Sequence, residues 1–286
     1  MTPLGCKRKD CKLRELQYTE KFIAFVDVLG WKCHVRDSDA GRGLSLKELC
    51  DITDMLGKPT DRDEFEPTIC PQARRMRKDL DFCITRHSDS VLISAEISPA
   101  GLINLVFHCR KAGMELLSKK GIMCRGYIKH GPICHTAEYQ IGVGISDVVD
   151  QEKKASPFIE IDTEVIQHVE CQPDECIKKV FSGCVETVGG LTIISPCKGF
   201  LNFDSGDPEK DLASVNVVRG WLHRMKEHIE SHIDPSSESA RQKGDQYFRI
   251  LDAKLAGCDR REKMIKSGME QFPELRFTPE NFPGLF

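Results

Sequence analysis

The sequence predicts an α+β fold in which helices pack against one face of a β-sheet, and two observations predict it. Apolar, β-branched segments alternate with segments of helical periodicity in the order β, α, β, β, α, β, α, β, which is typical of a ferredoxin-like sheet. The 286 residues are 40% hydrophobic and 30% charged, which suits a globular protein with one large core. No repeat is visible, so function must come from individual residues.

The composition excludes several classes of protein. No segment approaches the roughly 18 apolar residues of a membrane-spanning helix, and no apolar segment follows the basic residues of the N-terminus. The net charge of -3 argues against general nucleic-acid binding, which needs an excess of basic residues. We therefore expect a cytoplasmic protein whose 14 cysteines are free thiols in a reducing compartment.

The first predicted strand is the segment FIAFVDVLG, which is apolar and β-branched and ends at Gly30. It contains a single acidic residue, Asp27. An ionised carboxylate inside an apolar strand costs several kcal/mol unless a positive partner is present. A metal ion is one such partner, and the ordinary alternative is that Asp27 ends its strand in a turn.

A predicted helix over residues 44–56 is followed by a hairpin formed by DLDFCIT and SVLISAE, with Asp89 at its tip. A hairpin beside a central strand can bring its tip close to that strand. Asp27 and Asp89 together can then bind the Mg²⁺ or Mn²⁺ that accompanies a nucleoside triphosphate. As with Asp27, the alternative is that Asp89 is an ordinary turn residue.

The remaining elements follow from periodicity and from glycine and proline positions. A helix begins after Pro99 and ends at Gly121, IMCRGYIKHG predicts a strand, IGVGISDVVDQEKKA a helix and PFIEID a further strand. Residues 209–272 are helical and charged in pattern. We expect a polar arm over residues 1–19, a catalytic domain over 20–205 and a helical C-terminal extension over 206–286.

Four blocks carry a resemblance to a known family: FIAFVDVLGWK, HSDSVLIS, CRGYIKHG and GVGISDVVDQEKKASPFIEI. In order and spacing they resemble the pyrimidine nucleotide cyclases of bacterial Pycsar antiphage systems, which are related to class III adenylate and guanylate cyclase catalytic domains. The resemblance covers residues 20–162, and QKGDQYFRILDAKL is weakly similar. It implies a ferredoxin-like class III nucleotide cyclase catalytic domain with a helical C-terminal extension.

The resemblance also implies an activity. Such an enzyme converts UTP, with CTP as the second choice, into a 3′,5′-cyclic nucleotide and pyrophosphate. The cyclic nucleotide is a second messenger that a separate effector senses during phage infection. The active sites form between two subunits, so the resemblance implies a homodimer.

The site residues implied by the resemblance begin with the metal ligands. Asp27 and Asp89 hold two divalent ions, Mn²⁺ or Mg²⁺, and the backbone carbonyl of Val28 adds a ligand. Phe25 and Tyr139 contact the substrate, and Tyr139 lies where purine cyclases place a base-reading aspartate.

The chain departs from the purine-cyclase pattern in the helix after the glycines, where the expected Asn and Arg fall near Ser146 and Asp150. Another cation must then meet the charge of the transition state. We assign this catalytic role to Arg125 and a substrate contact to Arg86, and we leave open a contribution from Lys153 and Lys154 of the partner subunit.

Two other functions stay open. A degenerate cyclase-like module that binds a nucleotide or a protein without turnover is consistent with the missing Asn and Arg. A two-metal phosphohydrolase or polymerase-like enzyme is consistent with the predicted sheet. Zinc sites are not favoured: His228 and His232 lack the HExxH pattern, and neither Cys6 with Cys11 nor Cys171 with Cys176 has a matching second pair.

Overall fold

The computed structural model describes residues 16–58, 80–199, 201 and 204–271. Most of the predicted N-terminal arm, including Cys6 and Cys11, lies outside the described residues. The strands of the described part are Thr19–Val28 (β1), Cys83–His87 (β2), Ser90–Glu96 (β3), Cys124–His135 (β4), Gln140–Ile141 (β5), Ile159–Ile161 (β6), Val185–Val188 (β7) and Leu191–Ile194 (β8). The helices are Trp31–Asp39 (α1), Leu46–Leu56 (α2), Pro99–Lys120 (α3), Val143–Glu152 (α4), Thr163–Glu170 (α5), Glu175–Ser182 (α6), Pro208–His232 (α7) and Glu238–Gln271 (α8).

Seven strands form one path in the order β2-β3-β1-β4-β6-β8-β7, and β5 pairs with β4. Strand β1 lies between β3 and β4 and is antiparallel to both, and β2 is antiparallel to β3. With helices between β1 and β2 and between β3 and β4, this is the ferredoxin-like order. The predicted α+β class is confirmed.

The two faces of β1 carry different residues because side chains alternate along a strand. Its even-numbered residues from Phe22 to Val28 lie in the main core with α2 and α3. Its odd-numbered residues face the other way, where Ile23 and Phe25 pack with Val148 of α4. The sequence predicted helices on one face only; that detail is wrong, because α4 lies against the second face of β1 and β4.

The C-terminal helices α7 and α8 form the predicted helical segment, and they share a core with the sheet. Leu222, Met225 and Leu251 pack in one cluster with Phe158 and Ile193, which lie beside and within the sheet. The hydroxyl of Tyr247 in α8 donates to the carbonyl oxygen of Cys124 at 3.1 Å. The predicted domain boundary at residue 205 stays a prediction. No helix in the described ranges is long and apolar enough to cross a bilayer.

Candidate active site

The end of β1 and the tip of the β2–β3 hairpin lie side by side. Asp27 is paired in register with Ser90, and the amide of Val28 donates to the carbonyl oxygen of Asp89 at 3.0 Å. This backbone contact places the hairpin turn directly beside the strand end that carries Asp27. The predicted proximity of Asp27 and Asp89 is thus present in the geometry.

The hairpin turn contains only two residues, Ser88 and Asp89, between the paired residues His87 and Ser90. Ser88 has φ 53, in the left-handed region that tight two-residue hairpins require. The hydroxyl of Ser90 donates to the carbonyl oxygen of His87 at 3.0 Å and closes the turn. A short, closed turn fixes where Asp89 lies relative to β1.

Arg125 lies on β4 directly opposite Asp27 in the register of the two strands. Its Nη2 is 3.6 Å from Oδ2 of Asp27, and its Nε contacts Oε1 of Glu152, the last residue of α4. The side chains of Asp27 and Arg125 are about one-fifth exposed, whereas that of Glu152 is 4% exposed. The guanidinium therefore lies between two carboxylates at the edge of solvent.

The electrostatics of this group disfavour an ionised Asp27. Burial raises the pKa of Asp27 to about 7, and the negative charges of Asp89 and Glu152 act in the same direction against the opposing effect of Arg125. Burial also raises the pKa of Glu152, while Arg125, Lys153 and Lys243 act to lower it. Three acids close together leave a local demand for positive charge that Arg125 meets only in part.

The donor set fits a hard divalent cation. The carboxylates of Asp27 and Asp89 and the backbone carbonyl of Val28 are oxygen ligands of the type that Mg²⁺ and Mn²⁺ prefer. Within the described ranges, no group of three or more histidine, cysteine or acidic side chains is placed to hold a metal. Such an ion would thus need further oxygen ligands from water and from substrate phosphates, as is usual for Mg²⁺.

The other predicted site residues lie in different places. Phe25 is on the same face of β1 as Asp27, two residues earlier, and is partly buried. Arg86 pairs in register with Val91, on the opposite face of the sheet, and its Nη1 is 2.5 Å from Oδ1 of Asp54. The structure therefore does not bring the Arg86 side chain to the Asp27 group.

Tyr139 lies beyond the far end of β4 from Arg125, in the connection to β5, and is 44% exposed. Ser146, Lys153 and Lys154 are exposed on or just after α4, and Lys153 pairs with Asp150 at 3.3 Å. Within one chain, Tyr139 is distant from Asp27. A contact between Tyr139 and a substrate held at Asp27 would need a second copy of the chain.

Two of the charged residues around Asp27 and Arg125, namely Glu152 and Lys243, could not be identified from the sequence. Glu152 lies in the charged stretch DQEKK, which is typical of a solvated helix end and gives no sign of burial. Lys243 belongs to α8, far along the chain, and only the weakly similar block QKGDQYFRILDAKL includes it. No periodicity or spacing distinguishes either residue.

The zinc alternatives remain without support in the described residues. His232 on α7 lies near His34 on α1, with ring centroids 5.9 Å apart, but no third metal-binding side chain joins them in the described part of the chain. Cys171 and Cys176 are both exposed free thiols.

Similarity to known proteins is confined to solved structures. No family model and no curated protein matches the sequence. Among solved structures, a similar chain is the catalytic core of a rhodopsin-guanylyl cyclase with converted specificity, in complex with ATPalphaS. The two share 13% identity with a TM-score of 0.35, over 62% of this chain and 93% of that chain. Similarity at this level does not assign an activity, which must follow from the site itself.

Proposed function

We propose that this protein is a metal-dependent nucleotide cyclase that converts UTP, or as the second choice CTP, into a 3′,5′-cyclic nucleotide and pyrophosphate. One observation carries the proposal: Asp27 and Asp89 lie side by side at the ends of adjacent strands, with Arg125 opposite Asp27. Paired carboxylates and an arginine at one strand edge suit the binding of a triphosphate together with its cations.

The reaction joins the ribose 3′-oxygen to the α-phosphorus, while the bond from the α-phosphorus to the bridging oxygen breaks and pyrophosphate leaves. Bound divalent ions supply charge neutralisation and lower the pKa of the attacking hydroxyl. Asp27, Asp89 and the carbonyl of Val28 hold those ions. The guanidinium of Arg125 donates hydrogen bonds to phosphate oxygens as their charge redistributes.

The choice of a pyrimidine base and the role in phage defence are supported by the sequence resemblance alone. Phe25 lies on the face of β1 that carries Asp27 and offers an apolar surface there. In the proposed assignment, Phe25 and Tyr139 contact the substrate, and a separate effector senses the product.

A homodimer is part of the proposal, because the described residues of one chain leave Tyr139 far from Asp27. Three apolar or aromatic residues just before and at the start of α4 are exposed in the single chain, namely Tyr139, Ile141 and Val143. Such an exposed apolar surface is consistent with contact with a second copy of the chain. Mixing an Asp27→Ala variant with a Tyr139→Ala variant tests this. Shared sites predict that the mixture regains activity that neither variant has alone, and separate sites predict none.

The activity is tested by incubating the purified protein with Mn²⁺ and each of the four ribonucleoside triphosphates, followed by mass spectrometry of the products. A cyclic pyrimidine nucleotide is expected, with a loss of more than about 100-fold in Asp27→Ala and in Asp89→Ala. Asp39→Ala, which changes an exposed acid on α1, is the matched control and should retain activity. A cyclic purine product would contradict the base assignment, and release of nucleoside mono- or diphosphate would indicate a phosphohydrolase.

A nucleotide-binding module without turnover is the second candidate, and one observation favours it. The positions near Ser146 and Asp150, where purine cyclases carry Asn and Arg, hold exposed residues that cannot do the work of an arginine. Triphosphate binding by a folded protein that converts none of the four nucleotides would favour this candidate.

A further inference from the structure

Glu152 is a buried acid at an unfavourable place. It is the last residue of α4, where the helix dipole disfavours negative charge, and it is only 3% exposed. A carboxylate in such surroundings costs several kcal/mol unless it is paired with a cation. Its contact with Nε of Arg125 provides that pairing and ties the end of α4 to the start of β4.

The contact with Glu152 involves the Nε edge of the guanidinium and neither of its two Nη groups. Nη2 of Arg125 is 3.6 Å from Oδ2 of Asp27, beyond ordinary hydrogen-bond length. Within the described ranges, Nη1 has no hydrogen-bond or ion-pair partner. Neither Nε of Arg125 nor Oε1 of Glu152 has a hydrogen-bond partner among the described residues, so the contact is an ion pair and not a directed hydrogen bond. Because the guanidinium is a rigid plane with five N–H donors, an ion pair at its Nε edge still restrains where the Nη donors lie.

We propose that Glu152 is a positioning residue that aims Arg125, so that its Nη donors face the phosphates of a triphosphate held at Asp27 and Asp89. This inference rests on the proposed function and adds to it a residue from α4. Glu152 touches no substrate itself. Without the Glu152 carboxylate, the guanidinium of Arg125 can rotate toward Asp27. It then pairs with Asp27, and its donors no longer face the substrate phosphates.

A merely structural role for Glu152 would be to fasten α4 to β4, and the chain offers a second ion pair between these elements as a control. Lys129 on β4 and Asp147 on α4 form a second ion pair between the same two elements at 2.8 Å. This pair does not involve Arg125. Because the Asp147 side chain is 47% exposed and that of Glu152 is 4% exposed, this pair controls for the loss of an ion pair between α4 and β4 but not for the loss of a buried one. The double-mutant cycle with Arg125→Ala covers that second case.

The test compares the steady-state kinetics of Glu152→Gln and Asp147→Asn with those of the wild type. Glu152→Gln should lower kcat by about 10- to 100-fold with little change in KM, because misplacement of a transition-state donor acts on the chemical step. Asp147→Asn should stay within about twofold. An equal loss in both variants, or no loss in Glu152→Gln, would overturn the proposal, and thermal melting of each variant confirms that it is folded.

A double-mutant cycle with Arg125→Ala supplies a second readout. If Glu152 acts through Arg125, then Glu152→Gln should change kcat by less than about twofold once Arg125 is replaced. Multiplicative losses in the double variant would show that the two residues act independently and would overturn the proposal.

The Nε–H resonance of Arg125 in a ¹⁵N spectrum separates failure of this inference from failure of the proposed function. If the wild type converts no triphosphate, the cyclase proposal fails whatever Glu152 does. Addition of Mg²⁺ with a non-cyclisable methylene analogue of UTP should still shift the resonance in wild type and not in Glu152→Gln. No shift in wild type, or an equal shift in both proteins, would overturn the positioning role.

Discussion

Asp27 is a residue whose surroundings make its ionised form unfavourable. Its carboxyl group is mostly buried and shares its surroundings with Asp89 and Glu152, and its one close cation among the described residues, Arg125, also contacts Glu152. Residues held in this way destabilise the folded chain unless a ligand relieves them, and they concentrate at functional sites.

The pH dependence of stability follows from the two pKa values of Asp27. Its pKa is raised from 3.8 to about 7, so between these values the folded chain retains a proton that the unfolded chain has lost. This group therefore makes the free energy of unfolding fall as pH rises through that window, and the penalty is complete above about pH 7. Asp27→Asn, which cannot ionise, should become progressively more stable than wild type as pH rises.

Urea unfolding in the presence of EDTA measures this effect. Between about pH 5 and about pH 8 the advantage of Asp27→Asn should grow by about 1–2 kcal/mol, a figure discounted for the partial exposure of the group. Asp39→Asn on α1 provides the control and should show no such growth. An advantage that is the same at both pH values would contradict the raised pKa of Asp27.

Single residues were predictable where an acid interrupts an apolar pattern. Asp27 stands out for that reason and Asp89 because it lies at the tip of a predicted hairpin, and the structure places the strand end and the hairpin tip side by side. Glu152 is not predictable, because its burial depends on how the end of α4 meets β4. A substrate contact by Arg86 depends on which face of β2 the residue occupies, and the hairpin pattern does not give that face.

Among the elements, α3 was predictable because its sequence carries signals at both ends. Ser98 caps its first turn, Pro99 stands at the first helical position, and Gly121 adopts φ 64 at its end. By contrast, α1 buries none of its side chains and so shows no apolar periodicity. The short elements α5, α6, β7 and β8 have 4 to 8 residues each, too few for a pattern to emerge.

Gly121 also offers a test of how α3 packs against α7. A Cβ atom at this position would lie 2.4 Å from the backbone carbon of His228. Gly121→Ala should therefore lower the free energy of unfolding by about 2–4 kcal/mol, through both the left-handed φ and the clash. Urea unfolding at about pH 8 is the measurement.

Gly189 is the matched control for that substitution. It has a similar φ of 59, and a Cβ atom added there would meet nothing within 4 Å among the described residues. Gly189→Ala should cost only about 1 kcal/mol, the contribution of φ alone. Equal costs at the two glycines would show that α3 and α7 do not approach as closely as described.

For the whole molecule, the main feature is that the C-terminal helices share an apolar core with the sheet. The charged pattern of residues 209–272 predicted helices correctly but not their attachment, since that depends on contacts distant in sequence. Leu117, Phe158 and Ile193 pack with residues of α7 and α8, and Tyr247 bonds to Cys124, the neighbour of Arg125. The helices thus support the strand that carries the site.

A fragment that ends at residue 205 tests this attachment. Removal of α7 and α8 exposes Phe158 and Ile193 to water and leaves their cluster without most of its apolar partners. We expect the fragment to lack a cooperative thermal transition by circular dichroism, whereas the full chain should show one. A fragment that melts cooperatively near the temperature of the full chain would establish the predicted boundary as that of an independent unit.

Binding of Mn²⁺, measured by isothermal titration calorimetry on the full chain, tests the central claim that Asp27 and Asp89 jointly hold a divalent cation. With Mn²⁺ supplied as its preformed complex with a non-cyclisable UTP analogue, wild type should bind the complex about tenfold more tightly at about pH 8 than at about pH 6, because the ion displaces the proton of Asp27. Asp27→Ala and Asp89→Ala should each lose this binding, and Asp39→Ala should retain it. Binding that is independent of pH and unchanged in both site variants would contradict the claim.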